Sequence, residues 1–247
     1  MLGHSFTVVR DMADRRPDLV LLPGLTNDAR LWQPVAAQLA DVATIAHGDL
    51  TRGETMADVA AQVLERAPAR FALAGMSMGG YCALEIVRLA PERVMALALV
   101  DTSARPDGDE AKANREKQIE RARDDYAALV EELLPKWIHA SRLHDPAVAG
   151  VARAMALAAG PDVFARQQRA IMSRSDSRPL LPVIRVPTLV VYGRDDAVLP
   201  LEVHQEMASG IPGAKLVLIE ASGHLAPLER ADKVAAAMRD WIDRIGP

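Results

Sequence analysis

Cys82 is the one cysteine in 247 residues, so the chain has no partner for an internal disulfide and no thiolate set for a metal cluster. Lysine is almost as scarce, occurring only at positions 112, 117, 136, 215 and 233, and the other cations are arginines scattered along the chain. With 29 Lys and Arg against 33 Asp and Glu the formal net charge is −4, which lacks the sign and density needed to hold a nucleic-acid backbone. The 15 glycines and 16 prolines fall well short of a low-complexity composition, while half of the residues are hydrophobic, so a packed core is available. The N-terminal stretch MLGHSFTVVRDMADRRPD carries no apolar run of signal-peptide length. Apolar stretches such as Leu19–Leu22 and Ala96–Val100 are far shorter than the ~20 residues needed to cross a bilayer. These absences predict a soluble, cytoplasmic protein with no nucleic-acid or membrane partner, a monomer or homodimer.

What recurs instead is a short apolar run followed by a helical pattern, the signature of βα units around a parallel sheet. The runs are Asp18–Leu22, Val42–His47, Arg70–Ala74, Val94–Val100, Thr188–Tyr192 and Lys215–Glu220. Several are apolar on successive residues, as strands covered on both faces should be. Between them, Leu31, Val35 and Leu39, then Val59, Val63 and Leu64, are spaced for one-sided burial. Gly80–Ala90, stopped by Pro91, and Ala231–Ile245 read as further helices. From Ser103 to Pro187 the strand signal vanishes, and Pro106–Leu134, Pro146–Ala159 and Pro161–Arg174 read as helices. The organisation expected is a core of residues 1–102 and 187–247 with a helical cap, 103–186, inserted between two strands. The charged run Lys112–Asp125 mixes both signs at helical spacing and reads as a solvated face.

Chemistry concentrates at the ends of the strands. Gly75-Met76-Ser77-Met78-Gly79 follows one strand and opens a helix, the context of a nucleophile elbow, in which a serine hydroxyl is held exposed on a tight turn. A serine needs a base, and the base an orienting acid. Of the six histidines, His4, His47, His139, His144, His204 and His224, only His224 follows a late strand, in a loop able to reach over the sheet. His139 and His144 fall in the insertion and His204 in a helical pattern. The acid belongs at another strand end, where Asp196 is preferred over its neighbour Asp195 and over Asp101. For the oxyanion hole, one main-chain donor is the residue after the nucleophile, Met78, and Leu25 in the Leu22-Pro23-Gly24-Leu25 loop is the other. There is no phosphate-binding loop, H-E-x-x-H or EF-hand pattern, so no cofactor or metal is implied. Cys82 reads as a small buried filler. Met76, Met78, Trp32 and Tyr81 are pocket candidates.

In LLPGL, GMSMGG, APERV, GRDDAVLP and ASGHLAPLER the chain resembles the α/β-hydrolase fold family over residues 18–245. Within that family it is similar to cap-bearing, cofactor-free esterases and lactonases, including 3-oxoadipate enol-lactonase-like enzymes, and to carbon–carbon bond hydrolases. The resemblance implies a mostly parallel sheet of about six to seven strands flanked by helices, with the cap inserted after the sixth strand of the family pattern. It also implies a triad of Ser77, Asp196 and His224 acting on a small ester or lactone. Three departures stand out. Pro23-Gly24 replaces the His-Gly of many relatives, few residues precede the first main strand, and Ser77-Met78 differs from the aspartate-tryptophan pair of haloalkane dehalogenases. The alternatives are carbon–carbon cleavage, for which Arg142, Arg153, Arg166 or Arg169 would face a carboxylate-bearing substrate, and a ligand receptor that retains the triad.

Overall fold

The computed structural model describes residues 16–245. His4 lies outside them. Six strands, β1 (Asp18–Leu22), β2 (Thr44–His47), β3 (Phe71–Met76), β4 (Val94–Val100), β5 (Thr188–Gly193) and β6 (Lys215–Ile219), form one sheet in the order β2-β1-β3-β4-β5-β6. Every neighbouring pair is parallel. The central strands β3 and β5 are buried from end to end, whereas the outer strands β2 and β6 are half-exposed, so continuous apolar sequence marks the middle of the sheet.

Because alternate strand residues point to opposite faces, each strand feeds two cores. Leu19 and Leu21 of β1 join Ala72 and Ala74 of β3 on the face covered by α1 (Gln33–Leu39) and α8 (Ala231–Ile242). Val20, Leu22 and Leu73 pack on the other face beneath α2 (Met56–Arg66), α3 (Met78–Leu89) and α6 (Leu201–Gly210). β3 runs two residues further than its apolar run indicates, through Gly75 to Met76, which carries the sheet directly into the Ser77 turn.

Between β4 and β5 lie two long helices that pack on each other, α4 (Asp109–Trp137) and α5 (Val151–Met172). α4 is broken at Asp125 (φ −151°, ψ 90°) and α5 at Gly160 (φ 76°), immediately before Pro161, where the sequence also separates two helices. Tyr126 bridges the pair, with its ring 5.7 Å from Phe164 and its hydroxyl donating to the Ala156 carbonyl at 2.8 Å. The stretch Pro146–Met172 is long and apolar enough by composition to cross a bilayer, which the short runs read from the sequence did not anticipate. Here it is a helix interrupted at Gly160, and it buries Gln167 and Gln168 against its neighbours.

The chain passes from β1 outward to β2 and then returns to the far side of β1 as β3. The strand order therefore reverses between β1 and β3, and the crevice beyond their carboxyl ends is where a parallel sheet binds its ligands.

Candidate active site

Ser77 occupies that crevice. It sits between β3 and α3 at φ 52°, ψ −115°, a conformation held by its N–H donating to Val100 O and by Thr102 Oγ1 donating to Ser77 O. A non-glycine residue persists there only when its surroundings over-determine it. The flanking glycines make the turn possible. A Cβ on Gly75 would lie 2.1 Å from Gly79 O, and one on Gly79 would lie 2.3 Å from Leu22 O.

From the loop after β6, His224 Nε2 lies 2.8 Å from Ser77 Oγ, and His224 Nδ1 lies 2.7 Å from Asp196 Oδ2 in the turn after β5. A carboxylate can only accept, so Nδ1 carries the proton and Nε2 is left to accept the serine hydroxyl. Asp196 Oδ1 accepts the N–H groups of Val198 and Leu199, which fixes the carboxylate, and both Asp196 and His224 are buried.

The competing aspartates have other partners. Asp195 is exposed, 3.6 Å from His139 Nε2. Asp101 is fully buried at φ 44°, and it accepts the Gly193 N–H at 2.7 Å and the Ala226 N–H at 3.4 Å, bracing the acid turn against the histidine loop. Burial, then the nearby charge of Asp196, push its carboxyl well above the ordinary range. His204 stands beside Asp101 and Asp196. Its Nδ1–H donates to Pro200 O and its Nε2 accepts the Thr102 N–H, so the ring has no lone pair left for a ligand, and burial lowers it to about 4.

The Leu25 and Met78 N–H groups have no protein acceptor among the described residues, and Met78 opens α3, whose positive end points into the site. A cavity of about 230 Å³ lies in front of Ser77. Leu25, Ser77 and His224 line it from the sheet side, and Asn114, Gln118 and Lys136 from α4.

The alpha/beta hydrolase family model matches residues 19–237. The chain belongs to the alpha/beta hydrolase family. It is similar to the pimeloyl-(acyl-carrier protein) methyl ester esterase of Aliivibrio salmonicida, with 26% identity over 91% of this chain and 92% of that one. Among solved structures, a malate-bound thermophilic esterase from Thermogutta terrifontis is 32% identical, with a TM-score of 0.86 over 94% of this chain and 91% of its own. The enol-lactonase from Burkholderia xenovorans LB400 is 26% identical, with a TM-score of 0.84 over 95% and 94% of the two chains.

Within this alpha/beta hydrolase, two buried polar residues escaped the sequence reading. Glu229 accepts the N–H groups of His139, Gly223 and Leu225, and so ties the histidine loop to the end of α4. Trp137 O, at that same end, accepts the N–H groups of His224 and Leu225. Gln167 on α5 accepts the Thr26 N–H. The available signal was a Gln-Gln pair at 167–168 in an otherwise apolar helix face and a glutamate five residues after the histidine.

The cations also differ from those expected. Arg142, Arg153 and Arg169 pair with Asp145, Glu131 and Glu54, and Arg166 donates to Thr51 O, so none of the four lines the cavity. Arg115, from the run read as a solvated face, does line it, together with Lys136. Arg115 and Arg174 share the buried Asp107, at 2.6 and 2.8 Å. Burial raises that carboxyl, but the hydrogen bonds from Arg174 and Arg115 outweigh it and hold it below the usual range. Lys136 has no carboxylate within ion-pair distance among the described residues, and no acidic side chain lines the cavity. The charged side chains that line the cavity, Arg115 and Lys136, are both cations. Met76 and Tyr81 line the cavity, whereas Trp32 is buried and donates to Leu22 O. Cys82 is buried in the core, and burial pushes its thiol far up, so it is inert.

Proposed function

We propose that this chain is a serine hydrolase of carboxylic esters or lactones. Ser77 is the nucleophile, His224 the general base and then acid, Asp196 the orienting acid, and the Leu25 and Met78 N–H groups the oxyanion hole. The observation that carries this reading is the unbroken hydrogen-bonded chain from Ser77 Oγ through His224 to Asp196, facing a cavity. Ser77 Oγ attacks the substrate carbonyl as its proton moves to His224 Nε2, and Asp196 stabilises the imidazolium. The resulting oxyanion is held by donors worth about 2.7–4 kcal/mol each. Collapse expels the alcohol, which takes the proton from Nε2, or in a lactone opens the ring with the alcohol still attached. Water then gives its proton to His224 and attacks the acyl-enzyme, releasing the acid and restoring Ser77.

Residues 103–186 are the cap in this reading, and 1–102 with 187–247 the core. A cavity of about 230 Å³, just under the ~300 Å³ at which ligand pockets commonly begin, suits a short acyl group. The positive wall of Lys136 and Arg115 suits an ester or lactone that also carries an anionic group. The same wall would accept the carboxylate of a diketone or dienone cleaved at a carbon–carbon bond. Turnover of such a compound without turnover of simple esters would favour that second reading. A fluorophosphonate probe tests the chemistry common to both. The wild-type protein is labelled and Ser77→Ala is not, whereas absent or equal labelling rejects the assignment.

A further inference from the structure

The loop that carries the Leu25 N–H is held in an unfavourable shape, and what holds it comes from the cap. Asn27 N–H donates to Gly24 O at 3.1 Å, closing a tight turn with Leu25 and Thr26 at its centre. Thr26, third in that turn, has φ 58°. This is the φ that a type II turn requires at that position and normally gives to glycine or asparagine, and it is disfavoured for a β-branched side chain. Rotating the central peptide would return Thr26 to an ordinary conformation and reshape the turn around Leu25.

Both polar groups of that peptide are engaged. The Leu25 carbonyl accepts Thr26 Oγ1–H at 2.7 Å, and the Thr26 N–H donates to Gln167 Oε1 at 2.7 Å. Gln167 is 1% exposed and is itself oriented, because its Nε2 donates to Leu50 O at 3.1 Å. An amide flip would set its NH2 against the Thr26 N–H and its carbonyl against Leu50 O, so only one orientation satisfies both neighbours. The side chain therefore joins three separate stretches of chain: α5 of the cap segment, the loop after β1 and the loop after β2.

We infer that Gln167 is a positioning residue for the oxyanion hole, a cap side chain that clamps the Leu25–Thr26 peptide and so fixes the turn that carries the Leu25 N–H. This rests on the oxyanion role proposed above for Leu25. It makes the cap part of the machinery that stabilises the transition state. Displacement of α5 withdraws the Gln167 carbonyl, and the loop is then free to relax.

The test is kinetic, on a small activated neutral ester such as p-nitrophenyl acetate, beside the rate of fluorophosphonate labelling. Gln167→Leu keeps the size and removes both hydrogen bonds. Its kcat and labelling rate are expected to fall about 10-fold, less than the ~10²–10³ for deleting an oxyanion donor, with KM within about twofold. Thr26→Gly accepts a positive φ without help, so Thr26→Gly combined with Gln167→Leu should recover most of the lost kcat. A cap-packing defect would not be relieved from the far end of the hydrogen bond. An unchanged kcat in Gln167→Leu overturns the inference, as does a loss that Thr26→Gly leaves in place. If Gln167→Leu is not recovered folded, Gln167→Met is measured instead. It likewise removes the acceptor for the Thr26 N–H, and its kcat should fall and then rise when Thr26→Gly is added. Failure of the wild-type protein to label at all would reject the serine mechanism itself, an outcome distinct from these.

Discussion

The sheet and the helical segment between β4 and β5 contribute to the same crevice by different means. In the sheet, placement is done by the backbone. β3 ends in a turn too tight for any side chain on Gly75 or Gly79, and the Ser77 main chain is fixed between Val100 O and Thr102 Oγ1. In the helical segment, the contacts to the crevice come largely through side chains and freed helix-end groups. Gln167 reaches the loop after β1, the Trp137 carbonyl takes the histidine loop, and Arg115 and Arg174 meet on Asp107. A backbone-built site tolerates almost no substitution, whereas a side-chain-built one can be retuned residue by residue. The difference predicts a rigid chemistry beneath an adjustable specificity.

The sharpest break in that comparison is chemical. Ser77→Ala should reduce ester hydrolysis by ~10⁴-fold or more, and Asp196→Asn by ~10³–10⁴-fold, with little change in Tm. An Asp196→Asn enzyme within tenfold of wild type would move the acid's role to Asp101. Next comes a pair of glycines. Gly79→Ala drives a Cβ to 2.3 Å from Leu22 O and should cost upward of ~4 kcal/mol, lowering Tm by about 10 °C or preventing folding. Gly160→Ala, at φ 76°, ψ 171° with no atom within 4 Å of the new Cβ, should cost only the ~1–3 kcal/mol of backbone strain. Equal losses by calorimetry would erase the distinction between the two regions.

A third effect concerns pH. Burial lowers the pKa of His204 to about 4, from 6.5 for a free imidazole, so the unfolded chain binds the extra proton first. Stability from this group is complete above about pH 6.5 and is lost as pH falls toward 4, by up to about 3 kcal/mol. Asp101 and Glu229, whose carboxyls are raised chiefly by burial, act in the opposite direction and are present in both proteins compared. Urea midpoints of wild type and His204→Gln should therefore converge as pH drops from 7 to 5, and parallel curves would reject this. The smallest effect is in the helical segment between β4 and β5. Lys136→Glu should raise KM for an anionic ester severalfold while leaving a neutral ester unchanged, with the difference shrinking in high salt.

Legibility in the sequence divided along the same line. The inner strands were readable because burial on both faces demands uninterrupted apolar residues, and the residues at their carboxyl ends followed from turn chemistry. Ser77, His224 and Asp196 come together as the strand-end motifs implied. The helices between β4 and β5 were readable as helices, but not the directions in which their polar residues face. Arg115 sits in a run that reads as a solvated face, and it is held at the cavity wall by its pairing with Asp107. Gln167 and Glu229 were missed for the same reason. A side chain that satisfies main-chain groups across 141 residues leaves no periodic trace.

The pairing of β4 with β5 has a consequence for how the chain is made. The two are neighbours in the centre of the sheet, yet about ninety residues separate Val100 from Thr188. At ~5–20 residues per second, a ribosome that has finished β4 needs several seconds or more to deliver its partner. Throughout that interval a wholly apolar strand presents an open edge. Nascent chains halted just before residue 187 should therefore be the species most avidly held by chaperones, and those extended past residue 200 should be released.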